Sequence, residues 1–324
     1  MRSLFAGLLF ALVIVTAGSL EVERGDLRLV LHEDTARHSI YLRTDGEWVP
    51  LFVADDPRTS VLEVLEDNRV HRIGDSGDFR QTAEQTPEGA RFIWTSPTLR
   101  IAQTFRFTQS LAAERFNALE MTISITNEGE EPSLVGARLI YDTYLGERTN
   151  VHFTTPGASV ITRETRLTPG PVNRYIASVT SAEAGFGFQI SLENAVARPP
   201  QAAVVANWKR LTDSSWDYDV NGDRNFNRLP YSINDSAVMV VFPTEQLASG
   251  GRYSVGTYLG DLAPDGYLSP NVAAQTGDRD ELLDRLTEIV SQINALMQSD
   301  SIDPVRVEAL EEELRTLASL VRGR

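Results

Sequence analysis

The apolar positions of residues 20–272 fall in short strand-like runs separated by turn signals, some of them alternating with a period of two. The clearest case is Phe116 to Thr126. Leu119, Met121, Ile123 and Ile125 fall on one side, and Glu120, Thr122, Ser124 and Thr126 on the other. That period predicts a strand with one face in the core. Leu27–Leu31 and Ser39–Arg43 read the same way, and Asp45-Gly46 before Glu47-Trp48-Val49 predicts a tight hairpin turn. Further strand-like runs cover Ser60–Leu65, Arg91–Thr95, Leu99–Thr108, Leu134–Thr143, Ser159–Thr162 and Tyr175–Val179. Gly185–Leu192, Ala202–Asn207, Ala237–Phe242 and Arg252–Tyr258 complete the series. Regularly spaced strands without intervening helices argue for antiparallel sheets. No Pro/Gly/Ser-rich linker divides residues 20–272. The expectation is a mainly β fold: one large antiparallel two-sheet sandwich over 18–272.

The period changes after Pro270. Asp278 to Gln298 reads as a helix that opens on the capping-box form Asp278-Arg279-Asp280-Glu281. Leu282, Leu286, Ile289, Ile293 and Leu296 recur at spacings of four and three. Asp303-Pro304 opens a second helix, with Val307, Leu310, Leu314, Leu317 and Val321 in the same rhythm. Two heptad seams joined by a short link predict a C-terminal helical hairpin, coiled-coil-like, over 273–324. Each seam runs for only about three heptads, which is marginal for an isolated pair. The hairpin is therefore expected to pack on itself, on the sandwich or on another chain. Docking to an envelope protein, or self-association, through 278–322 is the interaction this predicts.

At the other end, Arg2 followed by the apolar run Leu4–Val15 and by Val15-Thr16-Ala17 has the form of a secretory signal peptide over 1–17. The alternative is a retained anchor, although the run is short for the ~20 residues that span a bilayer. The expected location is periplasmic or secreted, with no membrane span after cleavage. The absence of cysteine excludes a lipoprotein anchor, a disulfide framework, a thiolate metal site and a Cys nucleophile. A net charge of −15 makes nucleic acid and anionic lipid poor partners. Lys209 is the single lysine, which removes Schiff-base chemistry elsewhere in the chain.

Several stretches carry a resemblance. They are Ser39–Leu42, Pro50–Phe52 with Asp56–Ser60, Arg72–Asp75, Arg138–Glu147 and Asn225–Ser236. Together they resemble a group of exported β-sandwich proteins found among spirochaetes. The Asp142-Thr-Tyr-Leu-Gly146 segment is similar to a strand ending in large sandwiches of the galactose-mutarotase type. The resemblance implies a supersandwich-like fold. His32, His38, His71 and His152 match no mutarotase pattern, so no catalytic residue is carried over.

Three groups of residues are candidates for a site. Asp217, Asp219, Asn221, Asp223 and Asn225, with Gly222, alternate oxygens as the first half of an EF-hand-like calcium loop does. Arg228 stands where the closing Glu belongs, so Asp213 or Asp235 would have to complete the shell of a structural Ca2+. The same composition also suits a surface turn held by Asx hydrogen bonds. Trp208, Trp216, Tyr218 and Tyr231 supply either a sugar-stacking platform or anchors for a long loop. Asp142 and Glu147 flank a turn, as a pair acting on a glycoside would, or as strand-end carboxylates bound to backbone amides. With no Gly-x-Ser-x-Gly elbow and no other catalytic constellation, the leading expectation is a non-enzymatic cell-envelope structural or interaction protein that docks through the hairpin. The alternative is a carbohydrate-binding or glycan-processing protein of the mutarotase-like class.

Overall fold

A computed structural model describes residues 13–16, 18–156, 159–180, 186–193 and 197–270, together with Ile289, Gln292, Ile293 and Leu310. The chain divides into two compact units, 1–270 and 271–324. The first is built from three antiparallel sheets. An N-terminal meander of five strands runs Val13–Thr16, Ser19–Arg24, Leu27–His32, Arg37–Thr44 and Glu47–Pro50 in sequence order. Asp45 and Gly46 both take positive φ between its last two strands, as a two-residue hairpin turn with the register Thr44↔Glu47 requires.

A nine-stranded sheet has Ala118–Asn127 near its middle, between Leu99–Thr108 and Arg252–Gly260. Leu119, Met121, Ile123 and Ile125 are buried as their alternation predicts. They join one apolar cluster with Leu27, Leu29 and Leu31 of the meander and with Leu139 and Tyr141 of the third sheet. That cluster contains Trp94, Phe92 and Phe105, so the aromatic bulk of the unit sits between its sheets.

The third sheet has seven strands. Its path runs Thr165–Leu167, Ala202–Asn207, Ser236–Val241, Ser133–Thr143, Val61–Glu66 and Arg69–Arg72, and Glu245–Leu247 pairs with Ser133–Thr143 off that path. The inner strands of this sheet are buried on both faces. Leu139 and Tyr141 point into the shared core, and Ile140 belongs to a second cluster with Val204, Ala206, Met239 and Leu211. Double burial explains the unbroken apolar runs Ala202–Ala206 and Ala237–Val241, where no period of two survives. The cover over the second face is the short helix Trp208–Thr212 and the long loop after it. Trp208, Tyr218 and Val220 pack there. Asn207 caps the helix by accepting the Arg210 N–H at 3.3 Å.

These observations correct the expected fold. The sandwich of two sheets with a C-terminal helical hairpin is replaced by three antiparallel sheets and the short helix Trp208–Thr212 within residues 1–270; Ile289, Gln292, Ile293 and Leu310 are helical, but no hairpin or coiled coil is found among the described residues. Alternation specifies a strand but not the sheet it joins, so the five-strand meander was merged into the sandwich. The heptad segment 278–322 lies outside the described residues except for Ile289, Gln292, Ile293 and Leu310. Val13–Thr16, inside the expected leader, pairs with Ser19–Arg24. Among the described residues no helix is long and apolar enough to cross a membrane.

Candidate functional site

The loop that covers the seven-stranded sheet is tied down by two buried carboxylates. Glu63 receives Arg138 from the neighbouring strand. Arg138 then donates to the carbonyls of Ser215 at 2.8 Å, Trp216 at 2.7 Å and Ser214 at 3.4 Å. Its guanidinium lies 5.1 Å from the Trp216 ring centroid. Glu164 receives Arg210 through Nε and Nη2, stands 3.9 Å from Arg224, and accepts the Asn221 N–H at 3.1 Å.

Trp208 and Trp216 therefore act as loop anchors. Trp208 Nε1 donates to Thr59 O at 2.8 Å. Trp216 fills the space above Gly136, where an added Cβ would meet its ring at 2.9 Å and Thr244 Cγ2 at 2.8 Å. Gly136→Ala is expected to cost about 1–3 kcal/mol through overpacking. Chemical denaturation with Trp fluorescence would check it, and an unchanged midpoint would count against the anchoring role. Tyr218 accepts from Arg210 Nε at 3.2 Å, and burial pushes its hydroxyl up to about 12. Tyr231 is 77% exposed, near exposed Leu229 and Ile233 in sequence.

The five oxygens proposed for calcium are on exposed residues. Asn221 Oδ1 accepts the Asp223 N–H at 3.1 Å, and Asn225 Oδ1 accepts the Asn227 N–H at 3.2 Å. These are Asx turns, so two of the five oxygens already serve the backbone. Among the described residues no group of three His, Cys, Asp or Glu side chains could hold a metal ion. Asp213, a candidate to complete the shell, pairs instead with Lys209 and Arg228.

Asp223 and Asn225 do line a depression of about 470 Å³, together with Thr162, Arg163, Arg224 and Asn227. Two chain segments build it. Thr162 and Arg163 follow the edge strand Ser159–Ile161, and the Glu164 N–H donates to Arg224 O at 2.9 Å, which holds the opposite wall in register. Asn227 Oδ1 accepts the Asn234 N–H. The Oδ1 atoms of Asn225 and Asn227 thus both accept from backbone N–H groups.

Behind this wall lies the Asp142–Glu147 region. Asp142 ends the central strand Ser133–Thr143, and Glu147 closes the turn that follows. Glu147 Oε1 accepts the Ser236 N–H at 3.0 Å. Asn234 Nδ2 donates to Glu147 O, and Asn234 Oδ1 meets His152 Nε2 at 2.9 Å. Three of the stretches that carried the resemblance converge here. Ser60 Oγ accepts the Asp142 N–H at 3.0 Å, Arg138–Glu147 supplies both carboxylates, and Asn225–Ser236 supplies the clasp. Burial pushes Asp142 up to about 7, opposed by a hydrogen bond with Thr59 and reinforced by Asp235, Glu147 and Asp56. Burial likewise pushes Glu147 up to about 7, opposed by the Ser236 N–H and reinforced by Asp235. Burial also raises Asp235 and lowers His152.

Sequence reasoning named Asp142, Glu147, Asp223 and Asn225 but missed Thr162, Arg163, Arg224 and Asn227 as lining residues. It also missed the anchors Glu63 and Glu164, which carry no motif.

Solved structures similar to this chain include the following two. One is a polysaccharide lyase at 12% identity and a TM-score of 0.44, covering 74% of this chain. This chain spans about a third of that protein's length, 32%. The other is a galactose mutarotase-like protein from Lactobacillus casei at 9% identity and a TM-score of 0.45, covering 76% of this chain and 100% of that one. No family model and no curated protein matches the chain, so the likeness to an exported spirochaete group rests on sequence stretches alone.

Proposed function

We propose that the protein is an exported saccharide-binding β-sandwich protein, with the Thr162–Arg163 and Asp223–Asn227 depression as its binding site. The observation that carries this reading is the lining. A volume of about 470 Å³ is that of a small-molecule site, yet every lining side chain is polar. Carboxylate, amide and guanidinium groups are planar forks, and each can span two adjacent hydroxyls of a sugar ring. The lining offers donors from Arg163, Arg224, Asn225 and Asn227, and an acceptor in Asp223, which suits a ligand whose hydroxyls both donate and accept. Asp223 and the overall charge of −15 disfavour a polyphosphate in the same place. Export is supported by the 1–17 leader pattern.

A glycan array followed by calorimetric titration of the best ligand tests the reading. Asp223→Ala and Asn225→Ala are each expected to weaken binding about tenfold, the loss of one well-placed polar contact of about 1.4 kcal/mol. Binding that survives both substitutions, or no binding across neutral and acidic glycans, overturns it.

A further inference from the structure

The clasp behind the depression joins two segments that are far apart in sequence. On one side are Glu147 and His152, from the turn after the central strand. On the other are Asn234 and Ser236, at the end of the covering loop. The same Asn234 holds Asn227, which lines the depression. We propose that Glu147, Asn234 and Ser236 form a pH-operated latch that holds the 226–235 segment against the seven-stranded sheet in acid and loosens it as the solution approaches neutrality.

The charged groups that face the latch come from four elements. Asp142 stands at the end of its own strand, paired in register with Ala237. Asp56 precedes the turn Pro57–Thr59, and Thr59 bonds the Asp142 carboxyl. Asp235 and Ser232 come from the covering loop, with Ser232 bonded to the Asp235 carboxyl. The turn itself contributes Glu147 and His152. The charges that act most strongly on Asp142 and Glu147 are all carboxylates, so ionisation leaves like charges together in a half-buried space.

The sign follows from linkage. A carboxyl that binds its proton more tightly in the latched state favours latching below the ordinary carboxylate range. That preference is lost as the pH rises to about 7, where Asp142 and Glu147 ionise in place, and it is flat above. His152 acts in the opposite sense, because burial lowers its proton affinity and release restores it. The three raised carboxyls Asp142, Glu147 and Asp235 outweigh one imidazole, so release is net proton-losing between about pH 5 and 7.

Hydrogen exchange on the full chain, corrected for intrinsic rates, reads the latch directly at residues 226–236. Their protection is expected to fall about tenfold or more from pH 5.5 to 7.5 and to level off above, while Ala118–Asn127 stays unchanged as an internal reference. Glu147→Gln with Asp142→Asn is expected to remove most of the slope and hold protection near its acidic level, with Asp235 leaving a small residual dependence. A wild-type profile that is flat between pH 5.5 and 7.5 overturns the latch, as does a double variant that keeps the wild-type slope. The wild-type profile decides alone if the variant does not fold. None of these readings depends on a saccharide, so the latch and the proposed binding site stand or fall separately.

Discussion

Arg138→Ala is expected to lower the free energy of unfolding by about 3–5 kcal/mol, the cost of leaving a buried charge without its partner. Arg138 is 1% exposed and Glu63 is 2% exposed, on adjacent central strands of the seven-stranded sheet. Without the guanidinium, the Glu63 carboxylate keeps only Arg72, at 3.6 Å. Three loop carbonyls, those of Ser214, Ser215 and Trp216, lose their shared donor. The Trp216 ring also loses the cation beneath it. The damage is global, because the pair sits inside the sheet and not at its edge. Removing both charges with Arg138→Met and Glu63→Leu is expected to recover more than half of the loss, since an apolar pair leaves no unpaired carboxylate. Urea unfolding of the two variants measures this as a double-mutant comparison. A single-variant loss under about 1 kcal/mol would show that the ion pair is not what holds the loop.

The same two residues show how much of the molecule was legible in its sequence. Leu119, Met121, Ile123 and Ile125 could be placed because one face of their strand is buried and the other is not. Asp45-Gly46 could be placed because few residue pairs tolerate two successive positive φ angles. Arg138 and Glu63 look like solvent-facing positions of alternating strands, and nothing local says that a loop 76 or more residues further along will cover them. Ala202–Ala206 and Ala237–Val241 carried that information only in their unbroken apolar character, which signals two covered faces without naming the cover. Glu164 is a further case. It is an ordinary loop glutamate in sequence, and its meaning comes from Arg210, Asn221 and Arg224, which the chain brings to it from 46 or more residues away.

Of the candidate site, the side chains that chemistry marks in advance were visible and the geometry that groups them was not. Asp142 and Glu147 were read as a pair because they flank one turn, and they do share one electrostatic environment. Trp208 and Trp216 were read as either platform or anchor, and only the contacts with Thr59 and Arg138 separate those roles. The Asp217–Asn225 run was read as a cation loop or an Asx-bonded turn. Its two asparagines make the Asx turns, and its last carboxylate lines the depression.

Glu164→Gln tests whether the depression is organised from below. Its carboxylate neutralises Arg210 and Arg224, and it holds the Asn221 N–H, so one group fixes both the covering loop and the wall that includes Arg224. A glutamine keeps the shape but not the charge. Arg210 and Arg224 are 23% and 42% exposed at the side chain, so they can turn to water once their counter-charge is gone. Global stability is therefore expected to fall by only about 1–2 kcal/mol, less than for Arg138→Ala. Affinity for the proposed saccharide is expected to fall much further, about a hundredfold, because the donors and acceptors lining the depression lose their common alignment. That ratio is the informative quantity. A direct contact residue such as Asn225 should cost about tenfold in affinity and almost nothing in stability. An organising residue costs more in affinity than any one contact it supports. Calorimetric titration and urea unfolding of Glu164→Gln, beside Asn225→Ala, separate the two roles. Unchanged affinity in Glu164→Gln would mean that the lining residues hold their positions without it, and the depression would then owe its shape to the Asx turns at Asn221 and Asn225 alone.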